Sequence, residues 1–212
     1  MRMGFIKGAG DLKLLMTETS PYARKCRMLI REQGLTTRIE EIEAMPLDDP
    51  DALLSINPLG KVPALTRDGA TPLVNSPLIC EYIDSLNEDR WIPKSGTSRW
   101  RVLRFQAIAD GILDLAVGRR VEMMRPDDKR HDFWIERQES GIRRSLDLLE
   151  SEADKFAGAF DLGGLAIAVA LGYLDFRYPE SEWRNGRERL TAFHARWTER
   201  PSYQSTQPPA SA

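Results

Sequence analysis

At 212 residues, with 42% apolar and 29% charged side chains, the chain has material for one large domain or two small ones, and either buries a core. A formal net charge of −2, with acids and bases interleaved, excludes a sequence-independent nucleic-acid binder, which needs a basic patch. Two cysteines, Cys26 and Cys80, exclude a disulfide framework and a metal knuckle, and fit a reducing cytoplasm. The opening, MRMGFIKGAGDLK, is too polar and too broken by glycine for the apolar core of a signal peptide. The most apolar segment, residues 162–174, lies between Asp161 and Asp175 and suits a buried helix better than a membrane span. A soluble intracellular protein is expected.

In chain order, residues 12–18 read as a strand and 21–33 as a helix closed by Gly34. Residues 37–44 alternate weakly, as a second strand would, and 48–57 read as a short helix or turn. Residues 61–76 read as two strands around Asp68-Gly69, a strong hairpin signal. Leu78, Ile79, Tyr82, Ile83 and Leu86 then take helical spacing over 77–87. Residues 91–97 have the composition of a linker. Beyond them only helical patterns remain: 98–124, 131–155, 162–177 and 187–200, followed by a polar tail expected to be mobile. The expected fold is α/β followed by all-α: a mixed-sheet domain over 1–90 and a helical-bundle domain over 98–212.

Three stretches carry chemistry. Ser20-Pro21 stands where a strand gives way to a helix; the serine caps free amides and the proline fits the first helical turn. A helix start placed there also favours an anion, including a thiolate. Ser76-Pro77, in NSPLICEY, repeats the device after another strand, and simple capping is again the plainer alternative. Between them, NPLGKVPAL puts Val62-Pro63 at a strand opening, where a cis bond would turn the backbone of Val62 outward as an edge for a peptide-like ligand. Lys61 beside it suits a carboxylate. His131 and His194 have no thiol or carboxylate partners at ligand spacing, so no metal site is expected.

Together SPYARK, NPLGKVPAL and LVNSPLICEYID, with ADGILD, RSLDLLE and ALGYLDFR further on, resemble the bacterial glutathione S-transferase superfamily and, within it, the small YibF-type branch. The resemblance spans roughly residues 12–208. It implies a thioredoxin-like first domain, a helical second domain, glutathione as co-substrate, a cytoplasmic homodimer, and a role in detoxification. It further implies Ser20 as the hydroxyl that activates the glutathione sulfur, Val62 as backbone partner of the cysteinyl unit, and Pro63 as the cis-proline. Lys61 becomes a carboxylate contact and Ser76 a ligand of the γ-glutamyl carboxylate. Asp110 and Asp114 would line the groove for a small electrophile or touch glutathione of a neighbouring subunit; pairing with Arg104 or Arg119 is the plainer alternative.

Two positions depart from the pattern. The family usually has an acid before the second serine, where it meets the glutamyl amine; Asn75 accepts a hydrogen bond there but forms no ion pair. This keeps open a non-catalytic glutathione-binding sensor or protein-interaction module. A glutathione-dependent thiol reductase is a weaker third reading, because serine stands where cysteine would be the nucleophile. The second departure is at AFDLGGLAIA, where Asp161 caps a helix, with Phe160 and Leu165 as a hydrophobic staple, but Gly164 replaces the reciprocal acid of a capping box. On that reading, Gly164→Asp should raise the melting temperature.

Overall fold

The computed structural model describes residues 12–210, so the segment weighed as a signal peptide lies, but for Leu12 and Lys13, outside them. Two compact units are present: residues 12–90 with 205–210, and residues 91–204.

The first unit runs β1 (Leu12–Met16), α1 (Pro21–Glu32), β2 (Ile39–Glu43), α2 (Asp51–Leu54), β3 (Ala64–Arg67), β4 (Ala70–Val74) and α3 (Ser76–Ser85). The sheet order is β2-β1-β3-β4, with β1 and β2 parallel and the other pairs antiparallel. This is the thioredoxin-like arrangement. Helix α1 stops where the sequence places a glycine. Gly34, at φ 65°, lets its own N–H reach Arg31 O at 3.1 Å and the Leu35 N–H reach Ile30 O at 2.8 Å. The Asp68-Gly69 turn joins β3 to β4, with Gly69 at φ 66°. Arg27 and Arg31 clamp Glu41 of β2. Burial alone would push that carboxyl up, but the two guanidiniums outweigh it and hold it below its ordinary range.

The tail, expected to be mobile, is anchored at Ser205 and Thr206. Thr206 is fully buried and accepts from Arg24 Nε at 3.5 Å, while Arg31 Nε donates to Ser205 Oγ at 3.1 Å. Residues 205–210 thus pack with the first unit although they follow the helical one in sequence.

The second unit contains α4 (Gly96–Met123), α5 (Asp132–Ser151), α6 (Leu162–Arg177), α7 (Glu188–Thr198) and α8 (Pro201–Gln204), with no strand among its described residues. Helix α6 is buried from Leu162 to Leu174, as its apolar circumference requires. Asp161 opens it by accepting the Gly164 N–H at 2.9 Å, and Arg101 donates to the same carboxylate at 2.7 Å. Phe105, Phe156 and Phe193 pack edge to face around it, with centroids 4.8 and 5.1 Å apart. Phe160, expected as a staple for Leu165, lies edge-on against Trp197 and under Arg200.

Gly164 has a steric reason to be glycine. A Cβ there would stand 3.3 Å from the Ala159 carbonyl oxygen and 3.4 Å from the Trp197 ring. The expectation for Gly164→Asp therefore reverses. Any gain from a reciprocal cap is outweighed by crowding and by a second carboxylate beside Asp161, and a thermal melt should show a lower midpoint.

Candidate functional site

Register in the sheet brings the chemistry-bearing segments of the first unit to one end. Leu15 of β1 lies opposite Ala64 of β3, and Ala64 lies opposite Val74 of β4. The segment after β1, which leads to Ser20, therefore leaves the sheet beside the segment that enters β3, with Val62 and Pro63. The segment leaving β4, with Asn75 and Ser76, is next to both. Three stretches far apart in sequence become neighbours because β1 and β4 end where β3 begins.

Ser20 is half-buried, with extended backbone (φ −74°, ψ 118°), and its Oγ accepts the Ala23 N–H at 3.2 Å. It is a true cap. The bond uses a lone pair and leaves the hydroxyl proton free to be donated, so capping and holding a sulfur anion are compatible. Pro21 at the first helical position removes an amide that would have no partner in the helix.

The Val62–Pro63 peptide is cis. The Val62 side chain packs on the apolar cluster of Leu15, Ala44, Leu53 and Ala64. Lys61 is exposed next to it. The device that shapes this loop is Asn57, 2% exposed, whose carboxamide is used at both ends. Its Nδ2 donates to Lys61 O at 2.7 Å and its Oδ1 accepts the Leu59 N–H at 3.1 Å. Gly60, at φ 61°, completes the turn by donating to Asn57 O at 2.9 Å. Sequence reasoning passed over Asn57, although Asn-Pro is a recognised turn signal.

The second serine differs from the first. Asn75, not Ser76, occupies the cap position of α3, and its side chain makes no capping bond. Asn75 sits at φ 74°, ψ 126°, a region that few side chains tolerate. Ser76 is the first helical residue and 1% exposed, and its Oγ has no hydrogen-bond partner among the described residues. A buried hydroxyl left unpaired costs about 1–3 kcal/mol, so this one is poised for a ligand group. Capping, the plainer explanation from sequence, does not account for it.

Cys26 and Cys80 are fully buried, their Sγ atoms 3.7 Å apart, and the Cys26 thiol donates to Ser76 O at 3.9 Å. Asp110 and Asp114 lie on α4 of the second unit, and each is already engaged by a neighbouring group. Arg104 and Arg119, weighed as their partners, pair with Glu152 and Glu139. His194 is buried with Nε2 2.9 Å from the Tyr203 hydroxyl. Among the described residues no group of three or more His, Cys, Asp or Glu side chains is arranged to hold a metal ion, and no helix is long and apolar enough to cross a membrane.

Residues 19–86 match the family model for the glutathione S-transferase N-terminal domain, and residues 132–196 match that for the C-terminal domain. The chain is 34% identical to the uncharacterized GST-like protein YibF of Escherichia coli (strain K12), over 93% of this chain and 99% of that protein. Among solved structures it is similar to a glutathione transferase family member from Pseudomonas fluorescens Pf-5 with bound glutathione. That likeness has 39% identity and a TM-score of 0.90, covering 93% of this chain and 99% of that one. A glutathione S-transferase from Methylobacillus flagellatus KT with glutathione bound has 31% identity and a TM-score of 0.88, covering 93% and 100%.

Proposed function

Because the chain belongs to the glutathione S-transferase family, we propose that its first unit binds glutathione and that Ser20 holds the bound sulfur as a thiolate for attack on a small electrophile. The observation that carries the reading is the buried, unpaired hydroxyl of Ser76 at the sheet end where Ser20 and the cis Val62–Pro63 bond also lie. In this reading Ser76 binds the γ-glutamyl carboxylate, Asn75 meets the glutamyl amine, and the backbone of Val62 pairs with the cysteinyl unit. Lys61 meets a carboxylate. The glutathione structures of the Pseudomonas and Methylobacillus relatives support the choice of ligand.

In the reaction, the thiol proton leaves to solvent and the sulfur lone pair forms a bond to the electrophilic carbon. Either a leaving group departs with its electron pair or the adduct takes up a proton. A free thiol, with pKa around 8.5, is only a few per cent ionised at neutral pH. Lowering that pKa by about two units takes roughly 2.7 kcal/mol, the size of one charge-assisted hydrogen bond aided by a helix terminus. Asp110 and Asp114 remain the proposed contacts for the electrophile or for glutathione of a partner subunit. A cytoplasmic, homodimeric detoxification enzyme is the wider reading, with a thioredoxin-like domain over 1–90, a linker over 91–97 and a helical domain over 98–212.

A glutathione-binding sensor without catalysis is the second reading, favoured by Asn75 in place of an acid. A thiol reductase has little support, since both cysteines are fully buried. Calorimetric titration with glutathione, paired with the thiolate absorbance of the complex, separates these. Binding with a thiolate band supports the transferase, binding without it supports the sensor, and no binding at millimolar glutathione removes both. Ser76→Ala sharpens the test. It deletes a hydroxyl that has no partner, so the melting temperature should hold while glutathione affinity falls about tenfold.

A further inference from the structure

The chain has four asparagines, and local chemistry sets one of them apart. An asparagine side chain is lost when the backbone nitrogen of the next residue attacks its Cγ and closes a five-membered succinimide. The reaction needs a following residue with an amide N–H, little bulk and no hydrogen bond holding that amide.

Asn57 is followed by Pro58, which has no N–H, and its carboxamide is committed to Lys61 O and the Leu59 N–H. Asn75 is followed by Ser76, which is buried in the first turn of α3. Asn87 is followed by a glutamate, and its Nδ2 donates to Gln33 O at 2.7 Å and Gln33 Oε1 at 2.6 Å. Asn185 is followed by Gly186.

Asn185 and Gly186 are both exposed, in the turn that leads into α7. Gly186, at φ 70°, carries no Cβ to obstruct the ring, and its N–H has no hydrogen-bond partner among the described residues. Arg184 and Arg187 flank the pair, and their positive charge favours the amide anion that attacks. The Asn185 carboxamide is held by one exposed bond, from Nδ2 to Glu182 Oε2 at 2.9 Å.

We propose that Asn185-Gly186 is a site of spontaneous modification, converting to aspartate and isoaspartate without an enzyme. The Gly186 amide gives its proton to solvent and its nitrogen bonds to Asn185 Cγ. The side-chain nitrogen takes up a proton and leaves as ammonia. Water then opens the succinimide: cleavage of the bond to Cγ gives aspartate, and cleavage of the bond to the backbone carbonyl carbon gives isoaspartate. Either product sets a carboxylate against Glu182 where a donor stood. Isoaspartate also adds a carbon to the backbone inside a turn that Arg187 N–H closes on Arg184 O at 2.9 Å. That turn places Arg184 on Asp175 of α6 and Arg187 on Asp147 of α5, so opening it loosens the start of α7. The proposal is independent of the glutathione reading, since all these residues belong to the second unit.

The test is incubation of the full chain at neutral and mildly alkaline pH, digestion after glutamate, and mass spectrometry of the peptide spanning residues 183–188. A carboxyl should replace the amide at Asn185, as two products of equal mass separated by chromatography, and faster as the pH rises. The rate should lie within about tenfold of that of the free peptide WRNGRE, because exposed turns open at little cost. Asn185→Gln, which keeps an amide but needs a larger ring, should stay intact at that position. After equal incubation the parent should melt about 1–3 °C below this variant. A folded chain more than about tenfold slower than the peptide overturns the proposal, as does faster loss at Asn57, Asn75 or Asn87. Equal melting of the aged parent and the aged variant overturns the loosening of the turn.

Discussion

Replacing Ser20 with alanine should raise the pKa of glutathione bound to the protein by about one to two units and cut the rate at neutral pH by roughly 10- to 100-fold. On the proposed reading the hydroxyl has two duties, and alanine removes both. Losing the cap bond to the Ala23 N–H costs about 1 kcal/mol of stability, which leaves the protein folded. Losing the donated hydrogen bond removes the preference for the thiolate. The sign of the pH dependence follows. A raised thiol pKa depletes thiolate near neutrality but not above the new pKa, so the variant's rate should climb towards the parent's as the solution is made alkaline. Ser20→Thr, which keeps the hydroxyl, should restore most of the neutral rate. A rate loss of equal size at every pH would assign Ser20 to structure alone.

Gly163→Ala should lower stability by about 2 kcal/mol, which is roughly 4–8 °C in melting temperature for a chain of this size. A Cβ at Gly163 would stand 2.9 Å from the carbonyl oxygen of Val102 and 3.1 Å from Phe105 Cβ. The obstacle is helix backbone, which cannot rotate aside as a side chain can. Helices α4 and α6 would have to part, and the ring packing of Phe105 on Phe156 would loosen with them. The ordinary gain in helix propensity from glycine to alanine, about 1 kcal/mol, is too small to offset this. Gly111 is the control. It lies on α4 with nothing within 4 Å of its would-be Cβ, so Gly111→Ala should stabilise the protein slightly.

Features encoded by a few adjacent residues were legible in the sequence. Ser20-Pro21 starts a helix, Gly34 ends it, Asp68-Gly69 turns a hairpin, and the run from Leu162 to Arg177 is the central helix, because caps, turns and apolar periodicity act locally. The features that escaped depend on partners distant in sequence. Gly164 looked like a defect in a capping box, since nothing near it reveals that the Trp197 ring occupies the space. The polar tail looked loose, because the burial of Thr206 depends on Arg24 at the other end of the chain. Ser76 looked like a second cap. Only the backbone shows that Asn75, with its positive φ, holds the cap position and leaves the serine hydroxyl unused.

The packing of residues 205–210 onto Arg24 and Arg31 bears on how the protein is made. A ribosome releases residues 12–90 long before it reaches Thr206, and at ordinary synthesis rates the delay is about 6–23 s. During that interval α1, the helix that begins at Ser20, lacks its last partners, and Arg24 has no threonine hydroxyl to meet. The first unit is thus begun by the earliest part of the chain and completed by the latest. A nascent chain stalled before residue 205 would carry an α1 whose Arg24 and Arg31 still await Thr206 and Ser205.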